Sequence, residues 1–369
     1  MIVRRLPLRA TCLALVIGGL AAVGCGREAP RAAPTATRIA TLDAVNSERG
    51  LVDSLALAPD AGLVATGERG GQIRVWATGG ELPPVSLGNY RQAVVDLAFS
   101  PDGRLLASLG RHRVSALRLW RPVDTIRPGA WIEAASLPVG RCLALRFDGS
   151  GERLAVLCES EVLIVDVASV QEVSRVPNQH REALTAFDLS ADGRRLMTAG
   201  HDGEVTVRDA ATATPVRSFS VKRSRRPGPL PRGVEPPEVW AVVVALSSDG
   251  SRAAAVTIEG TVYVWDVATG KPLFDHADAE AGGPPAGSLR FGRDGGLLAP
   301  MGDRYGLQHI DVPSKASRAL TAGAKAYAHV AITDNATAFA VVTSSAGGGS
   351  LSYDVEVWRI DAAARLARD

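Results

Sequence analysis

The feature that most constrains the fold is an internal repeat, found seven times between residues 37 and 361. One anchor of the repeat is the polar residue of a tight turn, followed in most units by glycine, at Asp60, Asp102, Ser150, Asp192, Asp249, Asp294 and Asn335. The other anchor ends a strand and is most often tryptophan, at Trp76, Trp120, Val165, Arg208, Trp265, Ile310 and Trp358. Successive strand-end anchors lie 43 to 48 residues apart, with one longer interval of 57. A period of about 40 to 45 residues with four short strands is typical of one blade of a β-propeller.

The unit from Asp249 to Phe274 shows the pattern most clearly. Its strands are separated by the turns Asp249-Gly250, Glu259-Gly260 and Thr269-Gly270, where glycine supplies the positive φ that such turns need. The second strand of each unit is a short, continuously apolar run, as expected of a strand buried on both faces. Blades that pack face to face around a channel bury their strands in this way. We therefore predict an all-β fold, a seven-bladed propeller of four-stranded antiparallel blades.

Three units resemble the WD-repeat family, through the stretches Leu97 to Ala107, Gly200 to Asp209 and Val264 to Gly270. The resemblance covers roughly residues 37 to 361 and is degenerate in units three, six and seven. It implies a hydrogen-bonded structural set of His, Ser/Thr, Asp and Trp in a blade. In unit four this set maps onto His180, Thr198 and Asp202, with Arg208 in place of Trp, so the network there is partial. The tryptophans expected in structural positions are Trp76, Trp120, Trp265 and Trp358.

The ring closes, on this reading, through the N-terminus. Six units are followed by an outer fourth strand, whereas the last unit ends at Ile360-Asp361 and lacks one. Arg38 to Leu42 belongs to no other unit, and in WD-repeat propellers the N-terminal strand commonly completes the last blade. Closure removes an open sheet edge. We predict that this strand completes blade seven.

Residues 1–24 are predicted to be a signal peptide that is removed. A basic start precedes Cys12–Val23, an apolar run of about 12 residues, too short for a membrane span of about 20 but suited to a secretory signal. Ala22-Val23-Gly24-Cys25 resembles the lipobox of bacterial lipoproteins, with Ala22 in place of the usual Leu. The alternative is a conventional secretory signal with an incidental cysteine.

The lipoprotein interpretation makes Cys25 the lipidated N-terminus of a membrane-anchored protein in the bacterial cell envelope. Residues 25–36 would be a flexible tether and residues 362–369 a C-terminal tail. Gly26, rather than Asp, after the lipidated cysteine favours the outer membrane over the inner one by resemblance to lipoprotein sorting rules. Several acyl chains would anchor the protein far more firmly than one.

Two further cysteines, Cys142 and Cys158, flank one predicted hairpin. If their strands pair so that the two residues face each other, a cross-strand disulfide can form in an oxidising compartment. The alternative is a pair of small buried apolar residues.

Insertions into a repeat fall on loops, often on the binding face. The largest, Val221–Pro237, joins blades four and five and contains five prolines and five positive charges, Lys222, Arg223, Arg225, Arg226 and Arg232. A second, Ser344–Ser350, lies between the second and third strands of blade seven, on the same face. A smaller one, Arg121–Ala130, belongs to the opposite face. The basic insertion is interpreted either as a partner-docking loop or as a solvated loop without a partner.

Motifs of catalysis and cofactor binding are missing from the sequence. The six histidines show no metal-ligand spacing, and no nucleophile elbow or phosphate-binding loop is present. The basic run has no interleaved aromatics for stacking on bases, and the net charge is only +2, so nucleic acid is not expected as a partner. We predict a non-enzymatic scaffold for protein partners, without cofactor. The alternative is a quinoprotein-like enzyme or cofactor binder that uses the central channel.

Overall fold

The computed structural model describes residues 35–42, 51–80, 83–111, 115–123, 130–222, 239–277, 286–292, 294–301, 306–320, 327–347 and 350–361. These residues form strands and turns with no helix among them, and the strands group into seven sheets. The predicted seven-bladed propeller is confirmed.

Blades 1 to 6 each contain four antiparallel strands in chain order, from an inner first strand to an outer fourth. Blade 1 contains β2 (Val52–Leu57), β3 (Leu63–Glu68), β4 (Gln72–Ala77) and β5 (Val85–Asn89). Blade 2 contains β6 (Val94–Phe99), β7 (Leu106–Gly110), β8 (Ser115–Pro122) and β9 (Trp131–Val139). Blade 3 contains β10 (Cys142–Phe147), β11 (Arg153–Cys158), β12 (Glu161–Asp166) and β13 (Gln171–Pro177).

Blade 4 contains β14 (Leu184–Leu189), β15 (Arg195–Gly200), β16 (Glu204–Asp209) and β17 (Pro215–Ser220). Blade 5 contains β18 (Ala241–Leu246), β19 (Arg252–Thr257), β20 (Thr261–Asp266) and β21 (Pro272–Ala277). Blade 6 contains β23 (Arg290–Phe291), β24 (Leu297–Met301), β25 (Gly306–Asp311) and β26 (Ala316–Ala319).

Blade 7 closes the ring by joining the two ends of the described chain. It contains β27 (Tyr327–Ile332), β28 (Ala338–Gly347) and β29 (Ser350–Asp361), and its outer strand is β1 (Thr35–Leu42). β1 pairs antiparallel with β29 along its whole length, and Thr37 Oγ1 donates to Asp361 Oδ2 at 2.8 Å. The N-terminal strand therefore completes the last blade as predicted, although it begins at Thr35 rather than at Arg38. A two-residue strand that was not predicted, β22 (Ala286–Gly287), pairs parallel with β27.

Apolar packing between blades explains why the middle strands are apolar on both faces. The buried apolar residues fall into clusters that each join two consecutive blades, and one of them joins blade 7 to blade 1. Consecutive residues of β19, such as Ala254 and Ala255, belong to the clusters on opposite sides of their blade, and both are fully buried. Each sheet therefore contributes to two apolar cores, one on each of its faces.

The turn anchor of the repeat has a physical cause in the first hairpin of the blade. Ser190 Oγ donates to Asp192 Oδ1 at 2.6 Å, and the same oxygen accepts the Arg194 amide at 3.0 Å. Gly193 follows with a φ of 67°, a conformation that favours glycine. The hydroxyl of Ser190 holds the pKa of the Asp192 carboxyl below its usual range.

The second insertion is a β-ribbon rather than a loop. Residues 344–347 continue β28 and pair with residues 350–353 of β29, so that the two strands extend well past the other hairpins of the ring. Serine and glycine carry no strand-like apolar pattern, which is why the sequence indicated a loop here. The connection itself, residues 348–349, lies outside the described residues.

The two cysteines of blade 3 face each other. Cys142 and Cys158 are register partners at the end of the β10–β11 hairpin, and their sulfur atoms are 1.94 Å apart, joined in a disulfide. Both side chains are buried in the cluster between blades 2 and 3. Of the two alternatives left by the sequence, the structure therefore contains the cross-strand disulfide.

Candidate functional site

The first strands of the blades surround the ring axis and are tied together by polar side chains. Asp96 Oδ2 in blade 2 accepts the Leu145 amide of blade 3 at 2.9 Å, and Asp188 Oδ2 in blade 4 accepts the Leu246 amide of blade 5 at 2.8 Å. Thr185 Oγ1 donates to the Ala241 carbonyl at 2.7 Å. These bonds hold neighbouring blades in register at the axis.

A group of charged side chains converges on the axis. Arg146 Nε of blade 3 lies 3.3 Å from Asp188 Oδ1 of blade 4, and Arg290 Nη2 of blade 6 lies 3.2 Å from Asp334 Oδ1 of blade 7. The charges of Asp188 and Asp334 also act on each other, although their blades are far apart around the ring. The Asp334 side chain keeps 42% of its surface accessible, as a residue that lines a channel would.

Burial governs the ionisation of these carboxyls. Removal from water raises the pKa of Asp96 and of Asp188 to about 6 in each case, against the opposing effect of Arg146 and of backbone amides. Desolvation within the channel also raises the pKa of Asp334, although part of its side chain stays accessible, and Arg146 again opposes this shift. When the cost of burying a charged carboxylate exceeds the stabilisation from hydrogen bonds and nearby positive charges, the carboxyl holds its proton to higher pH.

Sequence analysis did not identify the axial group. Asp96, Asp188 and Asp334 do converge, together with Arg146 and Arg290. A signal was present, because Arg146, Asp188 and Arg290 each stand two residues before the first turn of their blade. Its meaning depends on ring closure, which brings residues distant in sequence to one axis.

The chemistry of this group is that of ion pairing. Asp96 and Asp188 bind backbone amides, and Asp188 and Asp334 face arginines. Among the described residues, no three His, Cys, Asp or Glu side chains form a group that could hold a metal ion. The contacts that these groups make are those of a structural tie between blades.

A cavity of about 620 Å³ opens on one face of the ring between blades 7, 1 and 2. We call this the front face: it carries the connections from each blade to the next and the turns between second and third strands. The cavity, here called the mouth cavity, is lined by Asp53, Arg69, Gln92, Ala93, Val95, Arg111 and His329. Sequence analysis did not single out any of these residues, because they come from three blades.

The polar groups of the mouth cavity differ in how they are held. Arg69 Nη2 pairs with Asp53 Oδ1 at 3.0 Å, and Arg69 Nε lies 3.3 Å from both carboxylate oxygens. Burial lowers the pKa of His329, against the effects of Asp53 and of the Val52 backbone, so this imidazole is neutral at pH 7. Arg111 is exposed, and its backbone amide donates to the Ala93 carbonyl at 2.8 Å.

The predicted structural set of blade 4 is assembled in the structure. The His180 ring nitrogens lie 3.2 Å from Asp202 Oδ1 and 2.9 Å from Thr198 Oγ1. Arg208 is buried at the tryptophan position, and its guanidinium donates to the Gln179 side chain. These four groups pin the connection into blade 4 against its second and third strands.

Blade 2 contains an equivalent set that sequence analysis missed. Tyr90 stands four residues before its first strand, as His180 does, and its hydroxyl lies 2.7 Å from Ser108 Oγ. Trp120 Nε1 donates to the same Ser108 Oγ at 2.8 Å. A side chain at Gly110 would come within 2.3 Å of the Tyr90 ring, which explains the glycine at this strand end.

The four predicted tryptophans occupy equivalent strand positions with different partners. Trp76 Nε1 donates to Thr66 Oγ1 at 2.9 Å, much as Trp120 binds Ser108. Trp265 stacks on Phe219 of the preceding blade, with ring centroids 4.7 Å apart. Trp358 stacks on Phe339 at 6.0 Å, and its buried Nε1 has no hydrogen-bond partner among the described residues.

The basic insertion lies largely outside the described residues, which include only Val221 and Lys222 of it. Arg223, Arg225, Arg226 and Arg232 are therefore not described, nor is Cys25. Val221 is buried in the cluster between blades 4 and 5, and Tyr263 Oη donates to the Lys222 carbonyl at 2.8 Å. The insertion thus leaves the ring from a fixed base on the front face.

Comparison with known proteins identifies the repeat. Residues 171–209 match the family described as WD domain, G-beta repeat. Transducin beta-like protein 3 of Bos taurus is 26% identical over 231 residues, which are 62% of this chain and 27% of that protein. WD repeat-containing protein SL1-17 of Schistosoma mansoni is 27% identical over 154 residues, 42% of this chain and 44% of that protein. Autophagy-related protein 18 of Meyerozyma guilliermondii is 33% identical over 105 residues, 28% of this chain and 16% of that protein.

The chain spans less than half the length of each of these relatives. The seven sheets and the matched repeat define its class, a seven-bladed β-propeller that contains a WD40 repeat. The repeat comprises β13 to β16 and so includes His180, Thr198 and Asp202, the set expected from the resemblance. In the part of the chain that the structure describes, no helix has the length and apolar character to cross a membrane.

The unpartnered Trp358 predicts a stabilising substitution. In blades 1 and 2 the hydroxyl that accepts from tryptophan stands two residues after the register partner of that tryptophan. Trp358 pairs with Phe339, so the equivalent position is Val341, which is fully buried. Val341→Thr should raise the free energy of unfolding by about 1 kcal/mol, because it satisfies a buried donor. Urea denaturation measures the change.

Val342→Thr is the matched control. Val342 is equally buried but packs in the cluster on the other side of the blade, where the indole of Trp76 already donates to Thr66. The free energy of unfolding of this variant should fall by about 1 to 2 kcal/mol, because its hydroxyl is buried without a partner. Equal losses for the two variants would contradict the assignment.

The axial carboxyls predict a stability that increases toward mildly acidic pH. Below the unfolded pKa of about 3.9, aspartate is protonated in both states. Between that value and the folded pKa of about 6, only the folded state keeps the proton, so stability is lost as pH rises through this window. Burial of Asp188 should make the free energy of unfolding about 2 kcal/mol lower at pH 7.5 than at pH 4.5.

The measurement compares urea denaturation at pH 5.0, 6.0 and 7.5 for the wild type and Asp96→Asn. Because the lowered pKa of His329 acts in the opposite sense, the difference between the two chains is the quantity to follow. The free energy of unfolding of Asp96→Asn should increase relative to that of wild type as pH rises. Asp192→Asn, whose carboxyl titrates below this range, should show a constant difference. A constant difference for Asp96→Asn as well would contradict the account.

Proposed function

We propose that the protein is a non-enzymatic scaffold that binds protein partners on its front face. The observation that carries this proposal is the placement of recognition features on a closed ring. The mouth cavity, the base of the basic insertion and the extended β28–β29 ribbon all lie on the front face. The titratable groups at the axis are engaged in ties between blades instead. A rigid ring with variable loops suits a docking role, although fold alone does not fix function.

The names of two relatives support the class of protein but do not identify its partners. One is a transducin β-like protein and another a WD repeat-containing protein. The partner of this chain follows from neither name. A protein partner remains the simplest occupant of a face that carries both charged loops and a cavity.

We propose further that lipid on Cys25 anchors the propeller in the bacterial cell envelope, with the outer membrane favoured. This part of the proposal rests on the sequence of residues 1–25. It agrees with the paired Cys142 and Cys158, since disulfides persist in oxidising compartments outside the cytoplasm.

The second candidate is an enzyme or cofactor binder that uses the channel, resembling quinoproteins. The observation in its favour is the convergence of Asp96, Asp188 and Asp334 on the axis. Against it, backbone amides and arginines already engage these carboxyls in ties between blades. A chromophore absorbing in the near ultraviolet or visible range in the purified protein would favour this candidate.

The test is co-purification from detergent-solubilised membranes, with the intact chain compared with a loop variant. Since Val221 is buried, the variant replaces residues 223–236 with a short Gly-Ser linker and leaves the base intact. We expect a near-stoichiometric protein partner with the intact chain and its loss from the variant. The matched control shortens residues 124–129 on the opposite face and should keep the partner.

Two other outcomes bear on the proposal. A partner retained by the loop variant would move the interface elsewhere on the ring, whereas recovery of the intact chain alone would contradict the scaffold. A Cys25→Ser chain should leave the membrane pellet, and its retention there would contradict the lipid anchor.

A further inference from the structure

We propose that the mouth cavity binds carboxylate side chains of an acidic segment of the partner protein, with Arg111 as the principal ligand. This inference rests on the proposed scaffold function and names the chemistry that the front face recognises. It adds a second contact in blades 7, 1 and 2 to the one proposed for the basic insertion between blades 4 and 5.

The cavity has the volume of a recognition site. Its volume of about 620 Å³ falls within the range of about 300 to 1,000 Å³ that is common for ligand sites. First strands supply its floor through Asp53, Val95 and His329, and the hairpin turns supply Arg69 and Arg111 at its rim. A side chain that reaches in from a docked segment would meet fixed backbone below and arginines at the edge.

Among the described residues of the lining, the charges leave one cation available. Asp53 neutralises Arg69 through the close pair described above, and burial keeps His329 uncharged at pH 7. Arg111 is exposed, and its guanidinium has no ion-pair partner within the described parts of the chain. The cavity therefore has a net positive charge that a carboxylate can neutralise.

The same sector of the front face is basic around the cavity. Arg69, Arg91 and Arg111 stand on its turns and connections, and Asp53 is the single carboxylate among the lining residues that the structure describes. Blade 3 differs, since Arg141 on its front-face connection is paired with Glu159 at 3.0 Å. An acidic segment is thus attracted to blades 1 and 2 in preference to blade 3.

Guanidinium chemistry selects the ligand. Arginine presents a planar fork of donors that matches a carboxylate in a bidentate arrangement. The Arg111 guanidinium can donate to one carboxylate of the segment in this way. The lining residues that the structure describes include no Phe, Tyr or Trp on which a base could stack, which disfavours single-stranded nucleic acid.

The test uses the full chain in detergent and a defined probe, a blocked peptide of four glutamates, in isothermal titration calorimetry at low salt. A blocked peptide of four glutamines is the control ligand. We expect the glutamate peptide to bind wild type, with the affinity reduced at least tenfold by Arg111→Gln and partly retained by Arg111→Lys. Arg141→Gln, on the same face but outside the cavity, should bind as wild type does. Because residue 111 is exposed, unchanged thermal unfolding verifies that its variants are folded.

Each remaining outcome would overturn the inference. These outcomes are the absence of glutamate-peptide binding, equal binding of both peptides, or an equal loss in Arg141→Gln. Binding of inorganic phosphate or of anionic vesicles without the glutamate peptide would assign the cavity to another ligand. A partner that co-purifies while the peptide fails to bind would leave the scaffold standing and remove only this inference.

Discussion

Packing between blades is the interaction on which the rest of the structure depends. Each blade buries apolar side chains on both faces, and the resulting clusters continue around the ring until blade 7 meets blade 1. A ring of this kind is stable only if its last member is complete, since an open sheet edge would expose unpaired backbone groups. β1 supplies that edge by pairing with β29 from residue 35 to residue 42. Closure in turn sets the axis, which gathers charged residues from blades that are distant in sequence.

The closed ring separates structural from functional roles. The axis is held by aspartates that accept backbone amides and face arginines, and the blades are pinned internally by sets such as His180, Thr198 and Asp202. Outside these sets, the turns and connections of the front face can vary. We infer that recognition is located there for this reason, with the mouth cavity as its most defined element.

Much of the fold could be predicted because its signals are local. A polar residue followed by glycine marks the first hairpin turn through side-chain bonds within five residues, and continuous apolar runs mark strands buried on both faces. The site could not be predicted to the same degree. Tyr90 occupies the position of the histidine and bonds the same kind of hydroxyl, but a tyrosine there does not match the sequence pattern. Arg146, Asp188 and Asp334 come together only because the ring closes. The β28–β29 extension was missed because serine and glycine form its strands without an apolar pattern.

Ring closure by β1 is the central claim, and hydrogen–deuterium exchange on the intact chain tests it most directly. Amides in a paired strand exchange slowly, whereas those of an unpaired segment exchange at once. The account predicts that peptides covering residues 35–42 are protected to about the same degree as those covering β26, the outer strand of blade 6. Complete exchange of residues 35–42 at the earliest time point, with the other outer strands protected, would contradict closure of the ring by the N-terminal strand.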